Sequence, residues 1–108
     1  MKFALPALLF MTTLAHAQDT PCAADAIIKA ERLLRFHNEL KANDQVDVAP
    51  NVKVLPPIKA LKGKGQLDVL EVIGHYLKAT YRMRLIYADI RGSCALMGQE
   101  ILEVSDPY

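Results

Sequence analysis

The chain has 108 residues, with Lys and Arg 13 against Asp and Glu 12, no Trp, and only 6% aromatic residues. So even a balance argues against a nucleic-acid or anionic-membrane partner, and the scarcity of rings argues against a stacking platform for bases or sugars. The length allows one small domain with a modest core.

Met1-Lys2 supplies one positive charge, Phe3 to Leu14 is a short apolar run, and Ala15-His16-Ala17 is an A-x-A site. These are the three parts of a secretory signal peptide, so residues 1–17 are expected to be removed. The apolar run is too short to span a bilayer, which takes about 20 residues. Residues 18–108 are then a single exported domain, expected in the periplasm or secreted. Cys22 lies beyond the cleavage point, which argues against a lipid anchor there. No other segment is apolar enough to span a membrane.

Cys22 and Cys94 are the two cysteines, and in an exported domain of this size they are expected to form one disulfide. A loop of about 70 residues closed in this way is worth at most about 4 kcal/mol.

Thr20-Pro21 is a helix start, with Thr as N-cap and Pro at the first helical position. The helix is predicted from Pro21 to Ala42, with Asn43 as a left-handed cap. Ala23, Ala26, Ile27, Ala30, Leu33, Leu34 and Leu40 fall on one arc. Asp25/Lys29, Glu31/Arg35 and Arg35/Glu39 are spaced for ion pairs on the outer face. His37 falls within the apolar arc, and with no second His or Cys one turn away it reads as a half-buried histidine and not a metal ligand.

Residues 45–64 are a connector with one strand. Pro56-Pro57 interrupts it, so it belongs at a sheet edge or carries a bulge. Lys53, Lys59, Lys62 and Lys64 crowd the same stretch and read as edge protection first and a cationic patch for an acidic partner second.

Three β-rich runs follow. The second strand is predicted over Leu67–Leu77, with a helix as the alternative because Leu67, Leu70, Ile73 and Leu77 also fit a helical spacing. Strand three spans Thr80–Ala88, where Tyr81, Met83, Leu85 and Tyr87 alternate with Arg82 and Arg84. A hairpin loop at Asp89–Ser93 leads to strand four, Cys94–Val104, followed by a short tail. The expected fold is α+β: one N-terminal helix on a four-stranded antiparallel meander, a two-layer sandwich clasped by Cys22 and Cys94.

Alternation puts Tyr81, Met83, Leu85, Tyr87, Leu70, Val72, Tyr76, Cys94, Leu96, Leu102 and Val104 toward the helix. The other face then carries Glu71, Ile73, His75, Arg82, Arg84, Ile86, Met97, Gln99, Ile101 and Glu103. Glu100 is a misfit on the helix side and points to a bulge near Gly98. Isoleucine and methionine mixed with arginine and glutamate resemble an interface more than an idle surface. Glu71, His75, Arg82, Arg84, Met97, Gln99 and Ile101 are therefore the candidate partner-binding residues. Cross-strand Glu–Arg pairing over ordinary surface is the competing reading.

No nucleophile–base arrangement, zinc motif, dinucleotide fingerprint or Walker spacing occurs. No catalytic residue, metal ligand or cofactor is assigned, and the chain reads as a binding protein and not an enzyme. The expected partner is a protein of the bacterial cell envelope. The alternatives are a small-ligand carrier with a pocket near His37, Tyr76 and Tyr87, or a homodimer paired through two sheet faces.

Overall fold

The structure, a computed structural model, describes residues 20–105. The expected leader at 1–17 and the end of the tail lie outside them. Helix α1 (Ala23–His37) is followed by strands β1 (Asp47–Val48), β2 (Lys53–Lys59), β3 (Gln66–Tyr76), β4 (Ala79–Ile90) and β5 (Ser93–Glu103). The helix packs on one face of an antiparallel sheet ordered β1-β3-β4-β5, with β2 also paired to β3. β1 meets His75 and Gly74, whereas β2 meets Gln66 to Glu71. The five strands thus fill four positions, because β1 and β2 lie end to end along one edge of β3. This is the expected α+β architecture, and the segment that also fitted a helical spacing is strand.

Both ends of the helix differ from the sequence expectation. Thr20 and Pro21 form a turn, with Ala23 N donating to Thr20 O at 3.0 Å. The cap is Cys22, whose backbone is left-handed (φ 71) and whose side chain makes no capping bond. At the other end the helix stops at His37. Asn38 Nδ2 donates to Leu34 O, Glu39 takes a left-handed backbone, and Arg35 Nη1 donates to the carbonyls of Lys41 and Asp44. Those local side-chain bonds compete with another helical turn. They also take Arg35 away from Glu39, leaving its ion pair with Glu31 at 3.1 Å.

The buried arc of the helix is Ala23, Ala26, Ala30, Leu33 and Leu34. Small residues let it approach closely. A methyl added at Gly74 would lie 2.9 Å from Met83 Cε and 3.0 Å from Leu34 Cδ2. Beneath the helix, Leu70, Val72, Met83, Leu85 and Tyr87 are at most 1% exposed. Each full burial of that kind contributes about 1.5–3 kcal/mol. Cys22 and Cys94 form the expected disulfide, Cα atoms 5.6 Å apart, tying the helix start to the start of β5.

Two register shifts shape the sheet. In β2 the shift falls between Leu55 and Ile58, at Pro56-Pro57, as expected of prolines in an edge strand. In β5, Gly98 lies opposite Ile86 and Leu96 opposite Tyr87, so Met97 is the extra residue of a bulge. The β4–β5 hairpin is tighter than a five-residue loop: Arg91 (φ 55) and Gly92 (φ 81) alone make the turn, in the left-handed backbone such turns require.

Candidate protein-binding face

Directly opposed residues in an antiparallel pair point to the same face. Leu70 and Val72 point to the helix, so Glu71 points away, and register places everything else relative to it. Glu71 lies opposite Lys53 on one side and Arg84 on the other, and Arg84 lies opposite Glu100. A single row, Lys53–Glu71–Arg84–Glu100, therefore crosses the open face with charges alternating in sign. Glu71 Oε2 is 3.5 Å from Arg84 Nε and 3.7 Å from Arg82 Nε, and Arg84 Nη1 is 3.8 Å from Glu100 Oε1. These are ion-pair distances without hydrogen-bond geometry: Arg84 Nε is buried and has no hydrogen-bond partner. The Glu71 side chain is only 12% exposed, whereas that of Glu100 is 59% exposed.

The next row is apolar: Leu55, Val69, Ile86 and Gly98. Val69 is 4% exposed although the helix lies on the other side of the sheet, because Leu55 and Ile86 flank it. The proline bulge turns Ile58 to this face as well, opposite Leu67, two residues along β3 from Val69. Leu55, Pro56, Ile58, Val69 and Ile86 border a shallow depression of about 260 Å³ whose charged rim is Arg84 and Glu100. On the other side of the charged row, Ile73, Arg82 and Leu102 share a row, followed by His75, whose Nδ1 lies 3.1 Å from Thr80 Oγ1.

Of the residues singled out from sequence, Glu71, His75, Arg82 and Arg84 share the open face. Gln99 and Ile101 do not. They lie opposite Leu85 and Met83, which places them on the helix side, and Ile101 packs against the core. The Met97 bulge is the physical cause, because one extra residue reverses the alternation beyond it. Met97 itself is 58% exposed at the bulge. The same reversal brings Glu100 and Leu102 onto the open face, and Lys53, Leu55 and Val69 join them. Period-two reading from an assumed start on each strand missed these. The Glu100 misfit beside Gly98 is the signal for Glu100 and Leu102, Val69 follows from Glu71 by alternation, and Lys53 and Leu55 need the β2–β3 register.

The helix side carries other depressions. An open groove of about 700 Å³ at the end of the helix is lined by Leu33, Phe36, His37, Leu40 and Ile101, with Phe36 82% exposed. His37 stacks edge-on against Tyr81 at 5.5 Å. Tyr76 and Tyr87 line two different depressions, so His37, Tyr76 and Tyr87 are not gathered in one pocket. Among the described residues no cluster of His, Cys, Asp or Glu could hold a metal ion, and no helix is long and apolar enough to cross a membrane.

Comparison with known proteins finds no matching family model, no matching curated protein and no matching solved structure.

Proposed function

We propose that this chain is an exported binding domain, at work in the periplasm or outside the cell, that engages a protein partner of the envelope through its open sheet face. The observation that carries the reading is the pairing of two rows on that face: Lys53–Glu71–Arg84–Glu100 beside Leu55–Val69–Ile86–Gly98. An apolar strip beside ordered, incompletely hydrogen-bonded charge is the makeup of an interface with a dry centre and a polar rim. The leader-like stretch at 1–17 and the Cys22–Cys94 disulfide support an oxidising compartment. An inhibitor, an immunity protein or an accessory subunit of an envelope complex fits this size and layout. No catalytic role is assigned.

The test compares three immobilised, oxidised proteins in envelope extract: wild type, Arg84→Glu on the open face, and Phe36→Ser in the helix-end groove. The reading expects a partner held by wild type and Phe36→Ser and released by Arg84→Glu. A partner released by Phe36→Ser and kept by Arg84→Glu would move the working surface to the groove.

The groove favours one second reading, a small-ligand carrier, because Leu33, Phe36, Leu40 and Ile101 give it apolar walls beside His37. Native mass spectrometry of protein purified without denaturant would show a co-purifying small molecule if that reading holds.

A further inference from the structure

We propose that the open face meets the same face of a second copy of this chain, about a two-fold axis running along the strands between β3 and β4. The inference rests on the reading of that face as an interface and makes its occupant a second copy of this chain in place of a foreign envelope protein.

The charged row carries the argument. Read from β2 to β5 it runs plus, minus, plus, minus, from Lys53 through Glu71 and Arg84 to Glu100. A two-fold axis along the strands reverses the order of strands in the facing copy and leaves each row at its own height. Lys53 then faces the second copy's Glu100, and Glu71 faces its Arg84. All four positions meet the opposite sign. A two-fold axis along the row itself would instead set every charge against its own duplicate, which like-charge repulsion disfavours. The order of signs thus selects one symmetry.

The apolar rows agree with that axis independently. Leu55 on β2 would face the bare backbone of Gly98, and Val69 would face Ile86. One row further along, Ile58 and Leu67 stand on the β2–β3 half, while the paired alanines Ala88 and Ala95 stand on the β4–β5 half. Leu55, Ile58 and Leu67 on one half are matched by Gly98 and the two alanines on the other, and Val69 and Ile86 meet as an apolar pair, as a self-complementary patch requires. Two sheets stacked about 10 Å apart and crossing at about 30° keep the pairs nearest the axis closest, here Glu71 with Arg84 and Val69 with Ile86.

The size suffices. Four strand positions about 4.8 Å apart and about 11 residues long present roughly 700 Å² per copy, close to the ~800 Å² per partner of a standard stable interface. Arg84 Nε, buried without a hydrogen-bond partner in the single chain, lies in the row that the second copy's Glu71 would approach.

Charge reversal with rescue tests the arrangement, using sedimentation velocity over a concentration series on the oxidised protein. Lys53 and Glu100 are both exposed, so reversing either leaves the core intact, which thermal melting verifies. Wild type is expected to dimerise. Lys53→Glu alone and Glu100→Lys alone each set like charges together twice per dimer, raising the dissociation constant by about tenfold to a hundredfold. Mixing the two variants, or combining both changes in one chain, restores opposite signs and is expected to restore the dimer. A wild-type dimer indifferent to both reversals would overturn the proposal, as would single variants that the mixture fails to rescue. A wild-type monomer at every concentration would also overturn it, while leaving the open face as an interface for a foreign partner if Arg84→Glu still releases one from envelope extract. Failure of both tests would sink the broader reading as well.

Discussion

The Tyr87 hydroxyl donates to Asp25 Oδ2 across 2.7 Å, joining the buried side of β4 to the first turns of the helix. Lys29 Nζ holds both oxygens of the same carboxylate, at 3.0 and 3.1 Å. The bond from Tyr87 is the largest influence keeping Asp25 below its ordinary value of 3.8, with Lys29 adding to it and burial opposing it. Burial, and then the neighbouring carboxylate, push Tyr87 above its ordinary 10.

The two shifts bound a pH window. Asp25 is depressed on folding, so its contribution is present above about pH 4 and fades as acid protonates the folded form. Tyr87 is raised, so its contribution is complete below about pH 10 and is lost as pH rises beyond that. Asp25 is one-third exposed, so the acid limb is shallow. Tyr87→Phe is expected to abolish the alkaline limb, flatten the acid one and cost about 1–2 kcal/mol at neutral pH. Urea melts of both proteins from acid to alkaline pH check this, and identical alkaline limbs would contradict it.

Replacing both Cys22 and Cys94 by alanine releases the helix start from β5. The loop it opens is long, and the expected loss is at most about 4 kcal/mol, read from the urea midpoint under oxidising conditions. The disulfide lies on the helix side, away from the open face, so the association state of the double variant is expected to match wild type at temperatures where it stays folded.

Much of this layout was legible because a period of two survives wherever strands are long and regular. Tyr81, Met83, Leu85 and Tyr87 announced the buried face of β4, and Pro56-Pro57 announced an edge with an irregularity. The C-terminal end of the helix was not legible, since Asn38 and Arg35 bond there to backbone atoms in a way that propensity does not weigh. Half of β5 lies on the face opposite to the one alternation predicts: Glu100 beside Gly98 signals a bulge, but its exact place depends on pairing with Ile86 and Tyr87, a non-local fact. The four-residue charged row was invisible for the same reason: its members come from four strands, and only register brings them into line.

At Gly74 the sheet lies directly under Leu34 of the helix, and an added Cβ would sit 3.0 Å from Leu34 Cδ2. Gly74→Val would drive a branched side chain into Met83 and Leu34, both fully buried, and is expected to cost about 1–3 kcal/mol through overpacking. Paired Gly74→Val and Gly98→Val variants make the comparison. A Cβ at Gly98 would meet Ile86 Cδ1 at an ordinary 3.6 Å, so the second variant should lose much less.

Leu77 turns the chain between β3 and β4 with φ 57, a left-handed backbone that an L side chain resists, and it is 83% exposed. Leu77→Gly removes that strain with little packing loss and is expected to raise stability by about 0.5–1 kcal/mol, measured by chemical denaturation. A destabilised variant would mean that Leu77 contributes packing that its exposure does not suggest.

Side-chain footprinting most directly tests whether the open sheet face is the surface that works. The oxidised protein is oxidised by hydroxyl radicals in its native envelope fraction and again after purification and strong dilution. Leu55, Ile58 and Ile86 report on the open face, and Phe36 and Leu40 on the helix-end groove. The first set is expected to be protected in the envelope fraction and reactive on dilution, with the second set unchanged. Protection confined to Phe36 and Leu40 would contradict it and place the partner on the helix side.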